Sequence, residues 1–327
     1  MASGEQIKAL LKSYIEGNDS QFFSVAIQVA AHEAKLGHGK LAQELRAMID
    51  KAKTSRPATN RQTKSIPITQ PRGELSNLLF VSYPKLRLSD IILSCRVFEG
   101  LERLIKEQRQ INKIRSFGLS PRKKLLLVGP PGTGKTMSAS VIAGELNLPL
   151  FEVRLDSLIT KYMGETAAKL RLIFDSIKQV RGVYLFDEFD SIGSQRRLPN
   201  DVGEIRRVLN SFLQLIEQDD SDNILLAATN YPELLDYALF RRFDDVLQFD
   251  LPQPKEIIKA LKSKLATIKN AHINWKEVGD VAFGLSYADI IRAAEETIKD
   301  AIINDRDDIT SADLIKNLSD RKAILNK

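Results

Sequence analysis

The first fifty residues alternate apolar and polar positions with the period of a helix. Apolar side chains recur every three or four positions in three runs, which begin at Ile7, Phe22 and Leu41. Turns that contain glycine separate the runs, because glycine destabilises a helix interior. The pattern predicts three short helices over residues 5–53. A bundle of that size lies near the lower limit of independent stability.

Residues 54–73 have a different character, with three prolines, many polar residues and no aromatic side chain. This composition is typical of a flexible linker. Beyond it, five apolar runs have the length of buried strands: residues 124–128, 150–155, 183–186, 224–228 and 246–249. Strands that alternate with helical patterns predict a parallel sheet covered on both faces. From Pro254 onward only helical patterns remain, so we expect an all-helical C-terminal lobe.

Composition restricts the class of protein. A chain of 327 residues, 43% apolar and 28% charged, predicts two globular domains, or three if one is small. The single cysteine, Cys95, excludes an intramolecular disulfide and a cysteine-based metal cluster. The apolar runs are far shorter than the ~20 residues of a membrane span. Met1 to Lys12 lack the apolar segment of a signal peptide. We therefore expect a cytoplasmic protein with no membrane partner.

The charge is unevenly distributed. Lysine and arginine number 48 against 42 acidic residues, a net charge of +6. Six basic residues and no acidic one stand between Lys51 and Gly73, and a second basic group precedes the first predicted strand: Arg115, Arg122, Lys123 and Lys124. Such runs are compatible with contact to nucleic acid. The lack of an interleaved aromatic residue for base stacking favours a solvated linker.

A glycine-rich segment carries the strongest chemical signal: Gly129, Pro130, Pro131, Gly132, Thr133, Gly134, Lys135 and Thr136. It follows an apolar strand and opens a helical pattern, which is the context of a Walker A phosphate-binding loop (P-loop). Glycines let backbone N–H groups turn toward a phosphate, and the helix N-terminus adds partial positive charge. Lys135 is expected to contact the β- and γ-phosphates of a nucleotide, and the Thr136 hydroxyl to ligate Mg²⁺.

Two carboxylates, Asp187 and Glu188, follow the strand predicted at 183–186. Acids in this position suit a nucleoside triphosphatase, where they form the Walker B motif. We expect Asp187 to hold the Mg²⁺ shell and Glu188 to orient and polarise the attacking water. Successive side chains of a strand point to opposite faces, so the two acids can take different tasks.

From about Leu88 to Leu318 the chain resembles an AAA ATPase, the protein-remodelling branch of the AAA+ superfamily. Beyond the two nucleotide motifs, three segments carry the resemblance. Residues 227–230 (AATN) are similar to the sensor-1 strand, 238–244 (ALFRRFD) to the second region of homology, and 284–289 (GLSYAD) to the sensor-2 region. The adjacent Arg-Arg-Phe is most similar to the katanin and spastin relatives, which sever or disassemble protein assemblies.

The resemblance implies further site residues. Asn230 would hydrogen-bond the γ-phosphate and the attacking water. Arg241 or Arg242 would be the arginine finger, which in this family reaches the nucleotide of the neighbouring subunit and implies a homo-hexamer. Such a cation suits transition-state charge and is worth ~10³–10⁵ in rate. Which of the two arginines is the finger stays open, and a surface salt bridge is the alternative for the pair.

Residues 161–165 (KYMGE) resemble the pore loop of rings that translocate proteins. Tyr162, Met163 and Gly164 would form a flexible apolar grip on an extended polypeptide. The alternative is that Tyr162 is an ordinary core aromatic residue, but the flanking charges favour an exposed loop.

Two assignments at the nucleotide base also come from the resemblance. Asp90 and Ile91 are similar to the backbone segment that contacts adenine, although Ile92 replaces the usual glycine. Ala288 lies in the sensor-2 region and is expected to contact the cofactor. This region has no sensor-2 arginine, although Arg292 follows one helical turn after Ala288.

The resemblance implies an α/β fold, a P-loop parallel-sheet sandwich with an all-helical C-terminal lid. The helical periodicity of the first fifty residues adds a small N-terminal helical bundle. We expect four parts: residues 1–53, a helical domain that binds a partner or substrate; 54–73, a flexible basic linker; 74–251, the ATPase domain; and 252–327, the lid. The cofactors would be ATP and Mg²⁺.

The leading hypothesis is a Mg-ATP-driven ring motor that unfolds, remodels or disassembles proteins by threading them through a pore. Such a motor can also deliver substrate to a separately encoded protease. A nucleic-acid-directed AAA+ ATPase is the alternative, motivated by the basic linker. A non-catalytic ATP-binding scaffold is a second alternative, which the presence of Lys135, Glu188 and Asn230 disfavours.

Overall fold

The computed structural model describes residue 8 and residues 19–35, 38–55, 71, 73–158, 163–189, 202–234, 237–270, 273–306 and 308–325. The chain divides into two compact units, Met1–Ile68 and Thr69–Lys327. This division falls within the segment predicted to be a linker. The finer domain limits at residues 53, 73 and 251 stay predictions.

Two helices are described in the first unit, α1 (Asp19–Lys35) and α2 (Gly39–Ser55). Four of their apolar side chains are buried: Val29, Ala30, Ala42 and Ile49. Between the helices, His38 Nδ1 lies 2.7 Å from Glu33 Oε2. The first of the three predicted helices falls outside the described residues, apart from the helical Lys8.

A six-stranded sheet forms the centre of the second unit. Its strands in spatial order are β1 (Leu79–Ser82), β3 (Leu150–Val153), β4 (Val183–Phe186), β5 (Ile224–Thr229), β2 (Lys124–Val128) and β6 (Asp245–Gln248). Strands β2 to β6 pair in parallel. Each coincides within two residues with one of the five predicted apolar runs.

The edge strand β1 pairs antiparallel with β3, and Leu79 lies opposite Val153. This strand was not among the predicted strands. Its four residues follow a single helical turn, Leu75–Leu78, without a break. A run this short shows neither a strand nor a helix period, so only its pairing with β3 defines it.

Helices cover both faces of the sheet. They are α3 (Leu75–Leu78), α4 (Cys95–Arg109), α5 (Ile111–Ser116), α6 (Lys135–Leu146), α7 (Leu155–Leu158), α8 (Met163–Gln179), α9 (Val202–Gln218) and α10 (Tyr237–Phe240). Helices α4 and α6 bury Leu101 and Ile142 on one face. Helices α8 and α9 bury Phe174 and Phe212 on the other. The result is a three-layer sandwich that buries apolar side chains on both sides of the sheet.

The C-terminal lobe has its own apolar core, which includes Leu261, Ile290 and Leu314. Its helices are α11 (Pro254–Lys264), α12 (Trp275–Ala282), α13 (Tyr287–Ile303) and α14 (Ser311–Leu325). The expectation of a purely helical lobe needs one correction. Strands β7 (Lys269–Asn270) and β8 (Asp308–Ile309) pair in parallel. Two residues per strand are too few to leave a period in the sequence.

Among the residues that the structure describes, no helix combines the length and the apolar character needed to cross a membrane.

Candidate active site

Three neighbouring parallel strands bring the predicted site residues to one edge of the sheet. Strand β5 lies between β4 and β2. Gly129, Asp187 and Asn230 are the residues that directly follow β2, β4 and β5. The carboxyl ends of parallel strands are where open α/β sheets bind ligands. A cleft of about 1310 Å³ opens at this edge, above the ~300–1,000 Å³ of typical small-molecule sites.

The P-loop has the backbone turn that its glycines predict. Gly132 and Gly134 have φ of +74° and +101°, a region that side chains with a Cβ rarely occupy. The chain then enters α6, whose first residue is Lys135. Lys135 is buried, and its Nζ donates to the carbonyls of Gly129 at 2.7 Å and Pro130 at 2.8 Å. The loop's own carbonyls thus hold the ammonium beneath the turn where phosphate oxygens would lie.

The predicted magnesium ligands meet across the site. Thr136 Oγ1 donates a hydrogen bond to Asp187 Oδ2 over 2.5 Å. Hydroxyl and carboxylate oxygens are ligands that Mg²⁺ accepts, and both side chains line the cleft. These residues therefore fit a nucleotide-bound magnesium ion, with Thr136 and Asp187 as the groups that would hold it.

The predicted catalytic acid lies on a strained backbone. Glu188 has φ of +50°, which is uncommon for a residue with a side chain. Its amide donates to Asp187 Oδ1 at 2.8 Å, and the amide of Phe189 donates to the carbonyl of Ala228 in β5 at 2.9 Å. These two hydrogen bonds hold the turn after β4 in this conformation. Glu188 is exposed and lines the cleft, as does Asn230.

A third carboxyl group, that of Glu152, interacts with Asp187 and was not predicted. Glu152 is a half-buried residue in the middle of β3. Burial raises the pKa of Glu152, and the negative charge of Asp187 raises it further. The indication in the sequence is that Glu152 is the single acidic residue in the run 150–155.

The C-terminal lobe closes the cleft over the P-loop. The amide of Ala288 donates to the carbonyl of Gly132 at 3.2 Å. Ser286 precedes it as the N-cap of α13, with its Oγ accepting from the amide of Asp289 at 3.2 Å. Apolar side chains from both sides line the cleft beyond the phosphate region: Ile91, Ile92, Ala260, Ala288 and Ile291. Ile91 and Ala288, both assigned by resemblance, thus line this apolar section.

Charged lid residues that were given no role also line the cleft. They are Lys264 on α11 and Arg292, Glu295 and Lys299 on α13. Lys264 Nζ lies 2.6 Å from Glu295 Oε1, and its hydrogen bond holds the pKa of Glu295 below the ordinary value. The sequence could have indicated the three residues on α13. Arg292, Glu295 and Lys299 follow Ala288 in steps of three or four residues, so all four share one helix face.

The two arginines lie elsewhere. Neither Arg241 nor Arg242 is among the described residues that line the cleft. Both follow α10, and Arg241 is exposed. The Nε atom of Arg242 lies 2.6 Å from Oε1 of Glu217 in α9.

The segment predicted to be an exposed pore loop is only partly described. Tyr162 lies outside the described residues. Met163 and Gly164 form the start of α8 and are helical, which corrects the expectation of a loop for these two positions. An acid in the first turn stabilises a helix N-terminus, and Glu165 occupies that place.

The basic group before β2 is engaged within the protein. Arg115 pairs with Asp222, and Arg122 Nη1 lies 2.5 Å from Asp245 Oδ2. Lys123 and Lys124 donate through Nζ to backbone carbonyls at the end of α9 and in the loop that follows it. These four cations are therefore paired with carboxylates or backbone carbonyls of the same chain.

Comparison with known proteins agrees with this geometry. Residues 125–251 match the model of the ATPase family associated with various cellular activities (AAA). An uncharacterised AAA family ATPase of Sinorhizobium fredii is 37% identical over 323 residues, which are 98% of this chain and 96% of that protein.

Two further relatives share part of their length with this chain. The ATP-dependent zinc metalloprotease FtsH of Helicobacter pylori is 32% identical over 234 residues, 68% of this chain and 37% of that protein. The proteasome-activating nucleotidase of Saccharolobus solfataricus is 34% identical over 247 residues, 70% of this chain and 62% of that protein. The P-loop, the acidic strand end and these similarities together show that the chain belongs to the AAA family of ATPases, enzymes that hydrolyse ATP.

Proposed function

We propose that this protein is a Mg-ATP-driven ring motor that unfolds, remodels or disassembles other proteins. Identical subunits, six in the simplest closed form of this family, would thread a polypeptide through a central pore. The helical unit at residues 1–53 would recruit the substrate or a partner. A separately encoded protease is a suitable recipient for the unfolded chain.

The separation of the arginines from the cleft is the observation that carries the proposal. Lys135, Thr136, Asp187, Glu188 and Asn230 all line one cleft of the subunit, whereas Arg241 and Arg242 do not. An arginine supplied in trans is a known way to stabilise charge on a transferring phosphoryl group. Among the described residues, the cleft receives Arg292 from the lid but neither arginine of the 238–244 segment, so we infer that a neighbouring subunit provides one of that pair, as in a ring.

The names of two relatives support the protein-directed role. One is an ATP-dependent zinc metalloprotease and the other a proteasome-activating nucleotidase, so both connect an AAA module to proteolysis. Among the described residues of this chain, no cluster of three or more potential metal ligands is present. We therefore propose that the protease working with this motor is a separate protein.

In hydrolysis, Lys135 and the P-loop amides would bind the β- and γ-phosphates, and Thr136 and Asp187 would hold Mg²⁺. Bound Mg²⁺ would neutralise charge on the phosphates. Glu188 would accept a proton from the attacking water, and Asn230 would orient that water. The Ala288–Gly132 hydrogen bond would connect these events to the lid.

The first experiment measures ATPase rate against protein concentration, with and without an unfolded protein and with and without DNA. We expect a cooperative rise with concentration and stimulation by the polypeptide. Stimulation by DNA alone would favour the nucleic-acid-directed alternative. Turnover as low as that of Glu188→Gln under all conditions would favour the scaffold.

The threading mechanism has its own test, the Tyr162→Ala variant. We expect this variant to keep its ATPase rate and to lose unfolding of a fluorescent protein substrate. The control is Phe283→Ala, which removes an exposed aromatic side chain from the lid. Undiminished unfolding by Tyr162→Ala would remove the pore-loop mechanism.

A further inference from the structure

A short segment connects the apolar section of the cleft to the far end of the P-loop helix. This segment, residues 86–93, follows the edge strand β1 and precedes α4, and we call it the strap. Asp90, Ile91 and Ile92, in the middle of the strap, line the cleft. Helix α6 begins at Lys135 and has 12 residues, so its two ends lie about 18 Å apart. The strap contacts α6 at its C-terminal end and the P-loop at its N-terminal end.

Arg87 anchors the strap to the C-terminal end of α6. Its Nη1 donates to the carbonyl of Gly144 at 2.6 Å, and the amide of Leu88 donates to Glu145 Oε1 at 3.0 Å. The last carbonyls of a helix lack their usual donor four residues on and carry partial negative charge, so a guanidinium is a favourable donor there. The two backbones also approach closely, because a Cβ at Gly144 would lie 2.1 Å from the carbonyl oxygen of Leu86.

The other end of the strap contacts the P-loop. The amide of Arg87 donates to Asp90 Oδ2 at 2.8 Å, and the amide of Asp90 donates to the carbonyl of Arg87 at 3.0 Å, which closes a turn. After this turn, a Cβ at Gly134 would lie 3.7 Å from Ile91 Cδ1 and 3.6 Å from Leu93 Cδ2. Both are ordinary van der Waals distances. The strap is therefore held by hydrogen bonds at one end of α6 and by apolar packing at the other.

We propose that Arg87 is a positioning residue for the base of the nucleotide, because its bond to the end of α6 sets the place of Ile91 and Ile92 in the cleft. Apolar side chains of the strap and the lid line this section, so the base of ATP is expected to bind there. The phosphates are expected at the P-loop, at the opposite end of α6 from Arg87. Arg87 therefore contributes to the affinity for the base, and this inference does not depend on the proposed ring.

Tripolyphosphate, which carries the phosphates of ATP without the nucleoside, separates the two contributions. With Mg²⁺ present, Arg87→Ala should raise the Kd for ATP about five- to tenfold, the loss expected for one hydrogen bond. The Kd for tripolyphosphate should not change. KM for ATP should rise at constant kcat, because the contact is equally strong in the ground state and the transition state. Isothermal titration and steady-state kinetics measure these constants. An equal loss of affinity for both ligands, or an unchanged Kd for ATP, would overturn the proposal.

Arg109→Ala is the matched control. Arg109, in the last turn of α4, donates through Nη2 to the carbonyl of Glu145 at 3.0 Å and to Oε2 of the same residue at 2.7 Å. It therefore binds the same end of α6 without belonging to the strap, and its side chain is 53% exposed against 44% for Arg87. We expect the control to lose a similar amount of stability in urea unfolding and to keep the wild-type Kd for ATP. ATP binding weakened equally in the two variants would assign the effect to the helix end, against the proposal.

Gly144→Ala tests the strap from the side of the helix. Alanine stabilises a helix by about 1 kcal/mol relative to glycine, but here its Cβ must displace the carbonyl of Leu86. We expect the Kd for ATP to rise about fivefold or more, the effect of overpacking, with the affinity for tripolyphosphate retained. Gly279→Ala in α12 is the control, because a Cβ there would meet Ile258 at an ordinary 3.5 Å. The same ATP affinity in both variants would show that the place of the strap does not govern binding of the base, and the proposal would be wrong.

Discussion

The amide of Ala288, in the first turn of α13, donates a hydrogen bond to the carbonyl of Gly132 at the top of the P-loop over 3.2 Å. The contact is close because Gly132 has no side chain. A Cβ at this position would lie 2.6 Å from Ser286 Oγ and 2.9 Å from Ala288 Cβ. The lid and the phosphate-binding loop therefore share one backbone contact that only glycine permits.

Gly132→Ala should weaken ATP binding. The substitution places a methyl group against the lid and also strains the backbone at φ +74°, where a left-handed conformation costs ~1–2 kcal/mol. We expect the Kd for a fluorescent ATP analogue to rise at least tenfold. The measurement is a fluorescence titration with Mg²⁺ present.

Gly118→Ala is the matched control. Gly118 has nearly the same φ, +73°, but a Cβ there would meet nothing within 4 Å. Gly118→Ala should therefore lose as much stability as Gly132→Ala but keep an unchanged Kd for the ATP analogue. Equal nucleotide affinity in the two variants would show that the lid does not close on Gly132 as described.

Substitutions of the two acids after β4 should have different effects, one on metal binding and the other on turnover. Asp187 accepts a hydrogen bond from Thr136 Oγ1 at 2.5 Å, whereas Glu188 lines the cleft on a strained backbone. We expect Asp187→Asn to raise the Mg²⁺ concentration needed for half-maximal ATP binding. We expect Glu188→Gln to bind Mg-ATP normally and to lose ~10²–10⁴-fold in kcat.

The measurements are isothermal titration with ATP across a Mg²⁺ series and steady-state phosphate release. Glu102→Gln is the control, because Glu102 is a partly exposed residue of α4 paired with Lys106, and it should match wild type in both measurements. Normal turnover in Glu188→Gln would exclude this residue as the base for the attacking water.

The sequence predicted the features that depend on neighbours in the chain. The five parallel strands appear as uninterrupted apolar runs because they are buried on both faces. The P-loop appears because its glycines, Lys135 and Thr136 are consecutive. The meeting of Thr136 and Asp187 was also accessible, because both follow strands whose carboxyl ends share one edge of the sheet.

Contacts between distant residues could not be predicted where no shared edge of the sheet brings those residues together. The Arg242–Glu217 pair joins a turn to the end of a helix, and no local period connects the two positions. The left-handed backbone of Glu188 is imposed by hydrogen bonds from Glu188 and Phe189 to the ends of two strands. The pairing of β7 with β8 likewise requires the lid to be folded first.

Glu145 should make the stability of the second unit sensitive to acid. The Glu145 carboxylate accepts a hydrogen bond from the amide of Leu88 at 3.0 Å and another from Arg109 Nη2 at 2.7 Å. These contacts, the first above all, hold the pKa of Glu145 below its ordinary value of 4.5. A carboxyl group with a depressed folded-state pKa stabilises the fold above the unfolded-state pKa and loses that effect as pH falls through the folded value.

We therefore expect Glu145→Gln to lower the free energy of unfolding at pH 7 by about 1.5–3 kcal/mol, the range for hydrogen bonds to charged groups. The deficit should shrink as the pH falls below 4, where the wild-type carboxylate is protonated as well. Urea unfolding at several pH values measures both. A deficit that stays constant down to pH 3 would mean that the Glu145 charge is not the source of the stability.

Lys124 provides the last prediction, because it is a buried cation at the start of the P-loop strand. Its Nζ donates to the carbonyls of Ile216 and Asp219, and burial, with the nearby charge of Lys123, lowers the pKa of Lys124. Lys124→Met keeps the apolar stem but leaves two carbonyls without their donor. The loss of these hydrogen bonds should outweigh the gain from no longer burying a charge. We therefore expect the free energy of unfolding to fall by about 1–3 kcal/mol.

Urea unfolding again provides the measurement, with Lys113→Met as control because Lys113 is exposed on α5. We expect the control to change the free energy of unfolding by less than ~0.5 kcal/mol. If Lys124 connects β2 to α9 as described, Lys124→Met should also lower kcat more than it changes KM for ATP. Destabilisation with an unchanged kcat would confine Lys124 to a structural role.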